Sequence, residues 1–278
     1  MLNLLPFLTR LSENLQRVNS RVSKYLKAPN AKNIHDARTA IRRLNATFQI
    51  LPRKSRSGSP LSEYVQKCKV FFEVNSEIRD MDIIYEKLQK YPSISPRNII
   101  VEELKAKRDG KLESAKTIAR SIKSTDTSKI IDKIGLTEGE LQKRYDKMIS
   151  RLISKIESTF PIVLTNPLKL EELHDLRIAC KKLRYLLEML PSEHTNALQT
   201  GKILSKLQDI LGAIHDFDFT IDYLKSLGSP SIEIKEIIIT ETENRRIKFE
   251  EFLNYCKRRL DLSPNSFLIR IRSLKSLV

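Results

Sequence analysis

Hydrophobic residues recur at spacings of three and four along most of the chain, which is the period of one face of an α-helix. Alternation with a period of two, which indicates strands, is nearly absent. The one ambiguous run is IEIKEIIIT at 232–240, and its length and charged flanks favour the start of a helix. The chain also has only 7 glycines, which suits helices. The pattern therefore predicts an all-α protein.

Proline, glycine and short polar runs divide the chain into the predicted helices. In the first half these cover residues 7–27, a stretch ended by Pro52, a long stretch from the loop 53–60 to about Tyr91, and a stretch that ends near Lys123. In the second half they cover 139–159, 171–190, 197–227 and a long stretch that ends near Leu260. Residues 160–170, FPIVLTNPLKL, are predicted to form a loop, and a short basic and apolar segment at 265–278 ends the chain.

Two stretches of the chain repeat each other 139 positions apart, NIHDARTAIRRL at 33–44 and ELHDLRIACKKL at 172–183. The following helix repeats at an offset of 136, where IRDMD at 78–82 matches IHDFD at 214–218. Because the small changes of offset fall in loops, we infer an internal duplication of a four-helix unit. Repeat one covers about 5–125 and repeat two about 137–262.

Two copies of one unit are expected to face each other about a pseudo-two-fold axis. The predicted fold is therefore two pseudo-symmetric four-helix bundles that form a single domain over residues 1–278. A site at the axis would receive residues from both repeats.

The charge of the chain indicates the class of its partner. There are 50 Lys and Arg residues against 34 Asp and Glu, which gives a net charge of +16 and a pI near 9.7. Such an excess attracts polyanions, so nucleic acid, an anionic membrane or another phosphate polymer is favoured as a partner.

The three cysteines, Cys68, Cys180 and Cys256, are scattered and lack the spacing of metal ligands, which favours a reduced, intracellular setting. The N-terminal run MLNLLPFLTRL has no basic region and no small-residue cleavage site, so a signal peptide is not predicted. No window has the 18 uncharged apolar residues of a transmembrane helix. The sequence predicts a cytoplasmic protein.

The repeated stretches separate into two faces when they are placed on a helix. In the first copy one arc holds His35, Arg38, Arg42, Asn45 and Ala46, and the apolar face holds Ile34, Ala37, Ile41, Leu44, Phe48 and Leu51. In the second copy the arc holds His174, Arg177, Lys181, Arg184 and Tyr185, and the apolar face holds Leu173, Leu176, Cys180, Leu183, Leu187 and Leu190. Cations three and four residues apart repel each other, so an anion is expected to offset them. A solvated surface is the alternative interpretation.

Three His-Asp doublets, at positions 35–36, 174–175 and 215–216, raise the possibility of a metal-dependent phosphohydrolase. Adjacent residues on a helix point about 100° apart, and arginines or lysines three and seven residues after the first two histidines would repel a divalent cation. No metal site is therefore predicted. Asp36 and Asp175 are interpreted as acids in the first turn of a helix, where they favour the helix dipole.

A second set of carboxylates, Asp80 with Asp82 and Asp216 with Asp218, is interpreted as partners in salt bridges to the basic helices. No catalytic residue is predicted, since no nucleophile elbow, phosphate-binding loop or Rossmann glycine run is present.

The paired IHDARTAIRRL and LHDLRIACKKLRYLLEML helices, each followed by a long helix with EIRDMDI or LQDILGAIHDFD, resemble the CHAD domain, the conserved histidine α-helical domain. The resemblance covers nearly the whole chain, and the first repeat departs from it at Asn45, where the second has Arg184. It implies two pseudo-symmetric bundles whose stripes line a basic cavity. The implied activity is binding of inorganic polyphosphate without catalysis and without a cofactor. Since some relatives are fused to a triphosphate-processing domain or associate with polyester granules, a separate polyphosphate-processing enzyme or a storage granule is an expected partner.

The hypothesis from these observations is a non-catalytic polyphosphate-binding module. The inner contacts would be His35, Arg38, Arg42, His174, Arg177, Lys181 and Arg184. The track would be extended by Arg43, Arg79, Arg108, Lys111, Lys182, Lys206, His215, Arg245 and Lys248.

Three alternatives stay open. An RNA-binding protein is less favoured, because the chain has no Trp and no evident platform for stacking bases. A metal-dependent polyphosphate or triphosphate hydrolase is less favoured for the reasons given above. A scaffold that uses the segment 265–278 at a granule surface is the third.

Overall fold

The computed structural model describes residues 3–92, 95–127, 130–131, 134–191, 193–228, 230–259 and 264–274. Helices make up almost all of this part of the chain, and it contains no strand. The helices are α1 (Leu4–Lys27), α2 (Ala31–Ile50), α3 (Arg53–Arg56), α4 (Pro60–Leu88), α5 (Ser95–Lys123), α6 (Glu138–Thr165), α7 (Leu170–Leu187), α8 (Thr195–Ser226), α9 (Ile232–Arg259) and α10 (Pro264–Ser273). The all-α prediction is confirmed, including the helical interpretation of 232–240.

The chain divides into two compact units, Asn3–Leu141 and Gln142–Val278, called here the N-terminal unit and the C-terminal unit. In the N-terminal unit α1 packs against α2 and α5, and α4 packs against the same two helices. In the C-terminal unit α8 packs against α7 and α9. The duplication and the pseudo-symmetric arrangement of the repeats stay predictions.

Local signals in the sequence set where the helices begin. The Asn30 side chain accepts a hydrogen bond from the Asn33 amide at 2.9 Å and caps α2. Ser59 caps α4 in the same way, and Pro60 follows it at the first helical position. Gly58 precedes this cap with φ of 65°, a backbone conformation that favours glycine, so the polar run 53–60 contains both a short helix and a sharp turn.

The predicted loop from residue 160 is wrong in its first half, because α6 continues through Pro161 to Thr165. Proline removes one backbone donor from a helix and usually ends it. Here Phe160 and Val163 are fully buried on either side of the proline, and the Phe160 ring packs against Phe252 and Phe267. Burial of these side chains offsets the lost hydrogen bond.

The segment at 265–278 is helical over its described part and joins the core of the C-terminal unit. Phe267, Leu268 and Ile271 of α10 are buried, and the Phe267 ring lies 4.9 Å from the Phe160 ring. Arg272 pairs with Glu157 of α6. The apolar side of α10 is therefore covered by the chain itself.

Each unit contains an arginine, buried in the case of Arg245 and half-buried in the case of Arg108, that joins two helices and a loop. Arg108 of α5 donates to Asp82 of α4 at 2.6 Å and to the backbone carbonyl of Pro29 at 3.2 Å. In the C-terminal unit Arg245 of α9 makes the corresponding hydrogen bonds. Arg245 donates to Asp218 of α8 at 2.6 Å and to the carbonyl of Pro167 at 2.8 Å. Because both carbonyls lie just before the histidine helix, each arginine fixes the start of α2 or α7.

Replacing Arg245 by Gln is expected to lower the free energy of unfolding by about 2 kcal/mol, because Arg245 is buried and the half-buried Asp218 would lose its cation. Urea unfolding followed by circular dichroism measures the change. The matched control is Arg246→Gln, since Arg246 is exposed and pairs only with exposed glutamates, and it should leave the unfolding midpoint nearly unchanged. Equal midpoints for the two variants would contradict a structural role for Arg245.

Candidate anion-binding site

The outward face of α2 carries His35, Arg38 and Arg42, which are called the N-terminal stripe. The predicted apolar face opposite them is buried from Ile34 to Leu51. The predicted division of the helix into two faces is therefore confirmed. The N-terminal unit thus presents three basic side chains on a helix whose other side is fixed in the core.

Contacts from α4 hold the arginines of the N-terminal stripe. Arg38 Nη1 donates to the backbone carbonyl of Asn75 at 3.3 Å. The guanidinium carbons of Arg38 and Arg42 lie 4.9 Å and 6.0 Å from the centre of the Phe72 ring. Arg42 also donates to Thr39 Oγ1 at 3.0 Å, and within the part of the chain described no carboxylate pairs with it. Neutral groups thus help to hold both guanidinium groups on this face of α2.

Sequence reasoning did not identify Phe72. The helical spacing of positions 72, 76 and 79 could have indicated it, because this spacing places Phe72 on the same face of α4 as Arg79. The position that corresponds to Phe72 at an offset of 136 is Gln208, so an aromatic ring at this position of the helix is not repeated in the second half.

The C-terminal stripe consists of His174, Arg177, Lys181 and Arg184 on α7. Arg177 Nη2 lies 3.5 Å from His174 Nδ1. The guanidinium carbon of Arg184 lies 4.8 Å from the centre of the Tyr185 ring, and Arg184 Nη1 lies 3.4 Å from Glu188 Oε1. The apolar face opposite the stripe is buried as predicted, and Tyr185, which was predicted on the polar arc, is buried as well. Its ring is covered by the Arg184 side chain.

His215 of α8 joins this stripe from outside α7. The rings of His174 and His215 lie 5.4 Å apart and line a cleft of about 390 Å³. The rest of the cleft is formed by apolar and acidic side chains, namely Leu170, Glu171, Asp175, Asp218, Phe219 and Asp222. The predicted approach of His215 to the stripe is therefore seen within the C-terminal unit.

The outer residues of the predicted track differ from the stripes, because carboxylates already pair with most of them. Four pairs lie at or near the surface, Arg79 with Glu86 at 3.1 Å, Lys111 with Glu77 at 2.5 Å, Lys206 with Glu251 at 3.8 Å and Lys248 with Glu251 at 2.6 Å. Arg108 and Arg245 form the interhelical pairs described above. An anion would have to compete with these carboxylates. Lys182 is exposed and Arg43 is half-buried on the histidine helices.

The interpretation of Asp36 and Asp175 as acids of a first helical turn is wrong. α2 begins at Ala31 and α7 at Leu170, so both aspartates lie in the second turn. Asp36 accepts a hydrogen bond from Arg21 of α1 at 3.0 Å, and Asp175 lies 2.6 Å from Lys155 Nζ of α6. Each aspartate therefore joins its histidine helix to the helix before it.

The predicted salt bridges of the second set of carboxylates are confirmed for Asp82 and Asp218. Their partners lie on α5 and α9 rather than on the histidine helices. The sequence did not indicate which arginines these would be, because the partners are 26 and 27 residues away.

Burial and neighbouring cations lower the pKa of all three histidines. Burial is the larger cause for His35, and Arg42, Arg79 and Arg38 add to it. Burial followed by Arg177 lowers the pKa of His174. Burial and the charges of Arg177 and Lys181 lower the pKa of His215 to about 4. The charged form of each of these histidines is therefore disfavoured in the free protein.

The described residues contain neither a metal site nor a membrane-spanning helix. No group of three His, Cys, Asp or Glu side chains there is arranged to hold a metal ion. No helix among them is long and apolar enough to span a membrane.

Comparison with known proteins places this geometry in a family. Residues 9–225 match the CHAD domain. The fold is similar to the crystal structure of the CHAD domain from the plant Ricinus communis, with a TM-score of 0.58, 13% sequence identity, and coverage of 96% of this chain and 91% of that one. Comparison with curated protein sequences gives no match. Because the family match covers more than half of the chain, the protein belongs to the CHAD domain family.

Proposed function

We propose that this protein binds inorganic polyphosphate through its two stripes and does not catalyse a reaction on it. The observation that carries the proposal is the N-terminal stripe, in which Arg38 and Arg42 are held by an aromatic ring and backbone or hydroxyl oxygens. Guanidinium groups have a planar fork of donors that suits phosphate oxygens. The general association of the CHAD family with polyphosphate agrees with this chemistry.

Binding would be driven by the release of counterions from the polyphosphate chain. Arg38 and Arg42 are one helical turn apart, so their like charges repel each other and an anion between them would relieve the repulsion. Arginines that are already fixed lose little conformational entropy when they meet a phosphate. Both effects favour a long polyanion that touches several cations at once.

An RNA-binding protein is the competing proposal from another class. Proteins commonly bind single-stranded RNA by stacking its bases on open aromatic side chains. The aromatic ring nearest the N-terminal stripe, Phe72, is covered by two guanidinium groups and is not open for a base. An excess of RNA should therefore fail to displace bound polyphosphate.

A hydrolase would need a metal beside the histidines, and Arg177 lies against His174 where it would repel a divalent cation. Phosphate release with Mg²⁺ or Mn²⁺ that disappears in His35→Ala and His174→Ala would instead support the enzyme. A granule scaffold built on α10 is disfavoured, because Phe267, Leu268 and Ile271 of that helix are buried and leave Ile269 as its exposed large apolar side chain. The proposal includes a cytoplasmic setting, in which the three buried cysteines stay as thiols, and a separate polyphosphate-processing enzyme or granule as a further partner.

Neutralising one arginine in each stripe tests the proposal. The double variant Arg38→Gln with Arg177→Gln is expected to bind long-chain polyphosphate about tenfold more weakly at low salt, because two phosphate contacts are lost. The slope of log Kd against log salt should fall by about two. Fluorescence anisotropy with end-labelled polyphosphate measures both quantities.

The matched control removes the same charge from α5 and α9, with Lys123→Gln and Lys235→Gln. These lysines are exposed and form no described ion pair, so the control should bind as the unchanged protein does. The proposal is wrong if the unchanged protein does not bind polyphosphate at low salt, or if the two double variants bind it equally.

Substitution of Phe72 tests whether the aromatic ring positions the arginines. Phe72→Leu should weaken polyphosphate binding about threefold to tenfold, because the guanidinium groups lose their support. Phe72→Tyr keeps an aromatic face and should restore the affinity, while thermal melts of the two variants agree within a few degrees. Equal affinity for the Leu and Tyr variants would assign Phe72 to packing alone.

The lowered pKa values of the histidines determine how binding depends on pH. A bound phosphate chain raises the pKa of His35, His174 and His215 toward and above the ordinary value, so the complex holds more protons than the free protein. Affinity should therefore rise as pH falls from 7.5 to 5.5. Titration calorimetry in two buffers with different heats of ionisation should show proton uptake at pH 6.

The variant with His35→Gln, His174→Gln and His215→Gln provides the control. It should lose most of the proton uptake while it retains salt-dependent binding through the arginines. Uptake of the same number of protons by this variant would show that other groups titrate.

A further inference from the structure

The polar face of α2 continues beyond the N-terminal stripe toward the end of the helix. Asn45 and Gln49 follow Arg42 at spacings of three and four residues, so they lie on the same face of the helix as that arginine. Asn45 is exposed and Gln49 is half-buried. Gln49 Nε2 donates a hydrogen bond to Asn45 Oδ1 at 3.4 Å, which joins the two amides along the face. The polar face of α2 therefore changes from basic to neutral after Arg42.

A guanidinium group from the next segment of the chain lies beside this neutral part of the face. Arg56 of α3 reaches back to the end of α2, where its Nη1 donates to Gln49 Oε1 at 3.1 Å. Its guanidinium carbon lies 5.8 Å from the centre of the Phe48 ring. The Arg56 side chain is half-buried, so part of it reaches the surface. The structure thus supplies a cation beside Gln49, about two helical turns beyond Arg42.

The C-terminal unit has the same two kinds of support at the end of its stripe, with the arginine on the helix itself. At the offset of 139, Asn45 corresponds to Arg184 and Gln49 corresponds to Glu188. Arg184 Nη1 lies 3.4 Å from Glu188 Oε1, and the guanidinium carbon lies 4.8 Å from the centre of the Tyr185 ring. In each unit a guanidinium is therefore held by an oxygen at the same helical position and by an aromatic ring of the histidine helix.

We propose that Arg56 takes the place in the N-terminal unit that Arg184 takes in the C-terminal unit, and binds phosphate at the end of the N-terminal stripe. Both guanidinium groups contact an oxygen at the equivalent position, on Gln49 or Glu188, and both lie near an aromatic ring. The arginine that α2 lacks at position 45 is supplied by α3. The inference rests on the proposed function and adds a binding residue to it.

The acceptor of the guanidinium differs in charge between the two units. Gln49 is a neutral amide, whereas Glu188 is a carboxylate that offsets part of the charge of Arg184. A phosphate that approaches Arg184 competes with this carboxylate, while Gln49 does not repel a phosphate that approaches Arg56. Contact with the Phe48 ring restricts the Arg56 guanidinium, so it loses less conformational entropy when it binds.

The position of Arg56 makes it a contact for long polyphosphate chains. Arg42 and Gln49 are two turns apart, which is about 10 Å along the helix axis. Pyrophosphate bound at Arg38 and Arg42 does not span this distance, whereas a long chain does. Arg56 should therefore contribute to the affinity for long chains and contribute little to the affinity for pyrophosphate.

The first test is Arg56→Gln in the full chain. Binding of long-chain polyphosphate should weaken about threefold to tenfold at low salt, and the slope of log Kd against log salt should fall by about one, because one phosphate contact is lost. Binding of pyrophosphate should change by less than about twofold. The matched control is Lys54→Gln, which removes the same charge from the same short helix at an exposed residue that pairs with Glu140 at 2.6 Å. Single-stranded RNA is titrated alongside each protein.

A double-mutant cycle with Asn45→Arg tests the equivalence of Arg56 and Arg184. Asn45→Arg should restore long-chain binding to the Arg56→Gln variant, because it places a guanidinium at the position where α7 carries one. In the otherwise unchanged chain it should raise the affinity by less than about twofold, because Arg56 already occupies that place. Thermal melts followed by circular dichroism should agree within a few degrees for all variants.

The outcomes separate the role of Arg56 from the proposed function. If the unchanged protein fails to bind long-chain polyphosphate at low salt, the proposed function is wrong and Arg56 has no ligand of this class. If it binds, and Arg56→Gln matches Lys54→Gln, the role of Arg56 is overturned while the proposed function stands. The same conclusion follows if Asn45→Arg raises the affinity equally with and without Arg56. A loss confined to RNA would overturn the assignment of Arg56 to polyphosphate.

Discussion

The buried pair between Arg108 and Asp82, with its counterpart between Arg245 and Asp218, is the interaction on which each candidate site depends. Each guanidinium also holds the carbonyl of the proline before the histidine helix. The helix start is thereby fixed to the two following helices of its own unit. A histidine helix that shifted along its axis would move its arginines away from their contacts, such as the one between Arg38 and Phe72. The charged contact inside each unit therefore helps to keep the basic side chains of the histidine helix in position.

Charge is distributed in two ways over this protein. Many cations on α4, α5, α8 and α9 are paired with carboxylates, and those contacts join neighbouring turns or neighbouring helices. Arg38 and Arg42 of the N-terminal stripe also contact neutral groups, and burial disfavours the charged form of His35 beside them. The grouping of these three side chains on one helix, more than the net charge of +16, distinguishes the face of α2.

Much of the fold could be predicted because helical periodicity and breakers are local signals. The buried face from Ile34 to Leu51 followed directly from spacing. Pro161 misled the prediction because its cost is offset by aromatic contacts with Phe252 and Phe267, which lie about a hundred residues later. Asp36 misled it because the helix begins at Ala31, several residues before the His-Asp motif.

The candidate site was predictable in its residue types and less so in its supports. The stripes were apparent from the repeat, whereas Phe72 carries no charge and becomes part of the site only through packing of α4 on α2. Likewise Arg108 and Arg245 look like surface cations in the sequence, and only the structure places them on buried aspartates.

The contact of α10 with α6 bears on where the folding unit ends. The family match stops at residue 225, yet Arg245 and the aromatic side chains of Phe252 and Phe267 lie beyond it and complete the interior of the C-terminal unit. A chain cut at the family boundary would expose part of the Phe160 ring and leave Asp218 without its arginine. The stretch that matches the family is therefore shorter than the stretch needed to complete the interior of this unit.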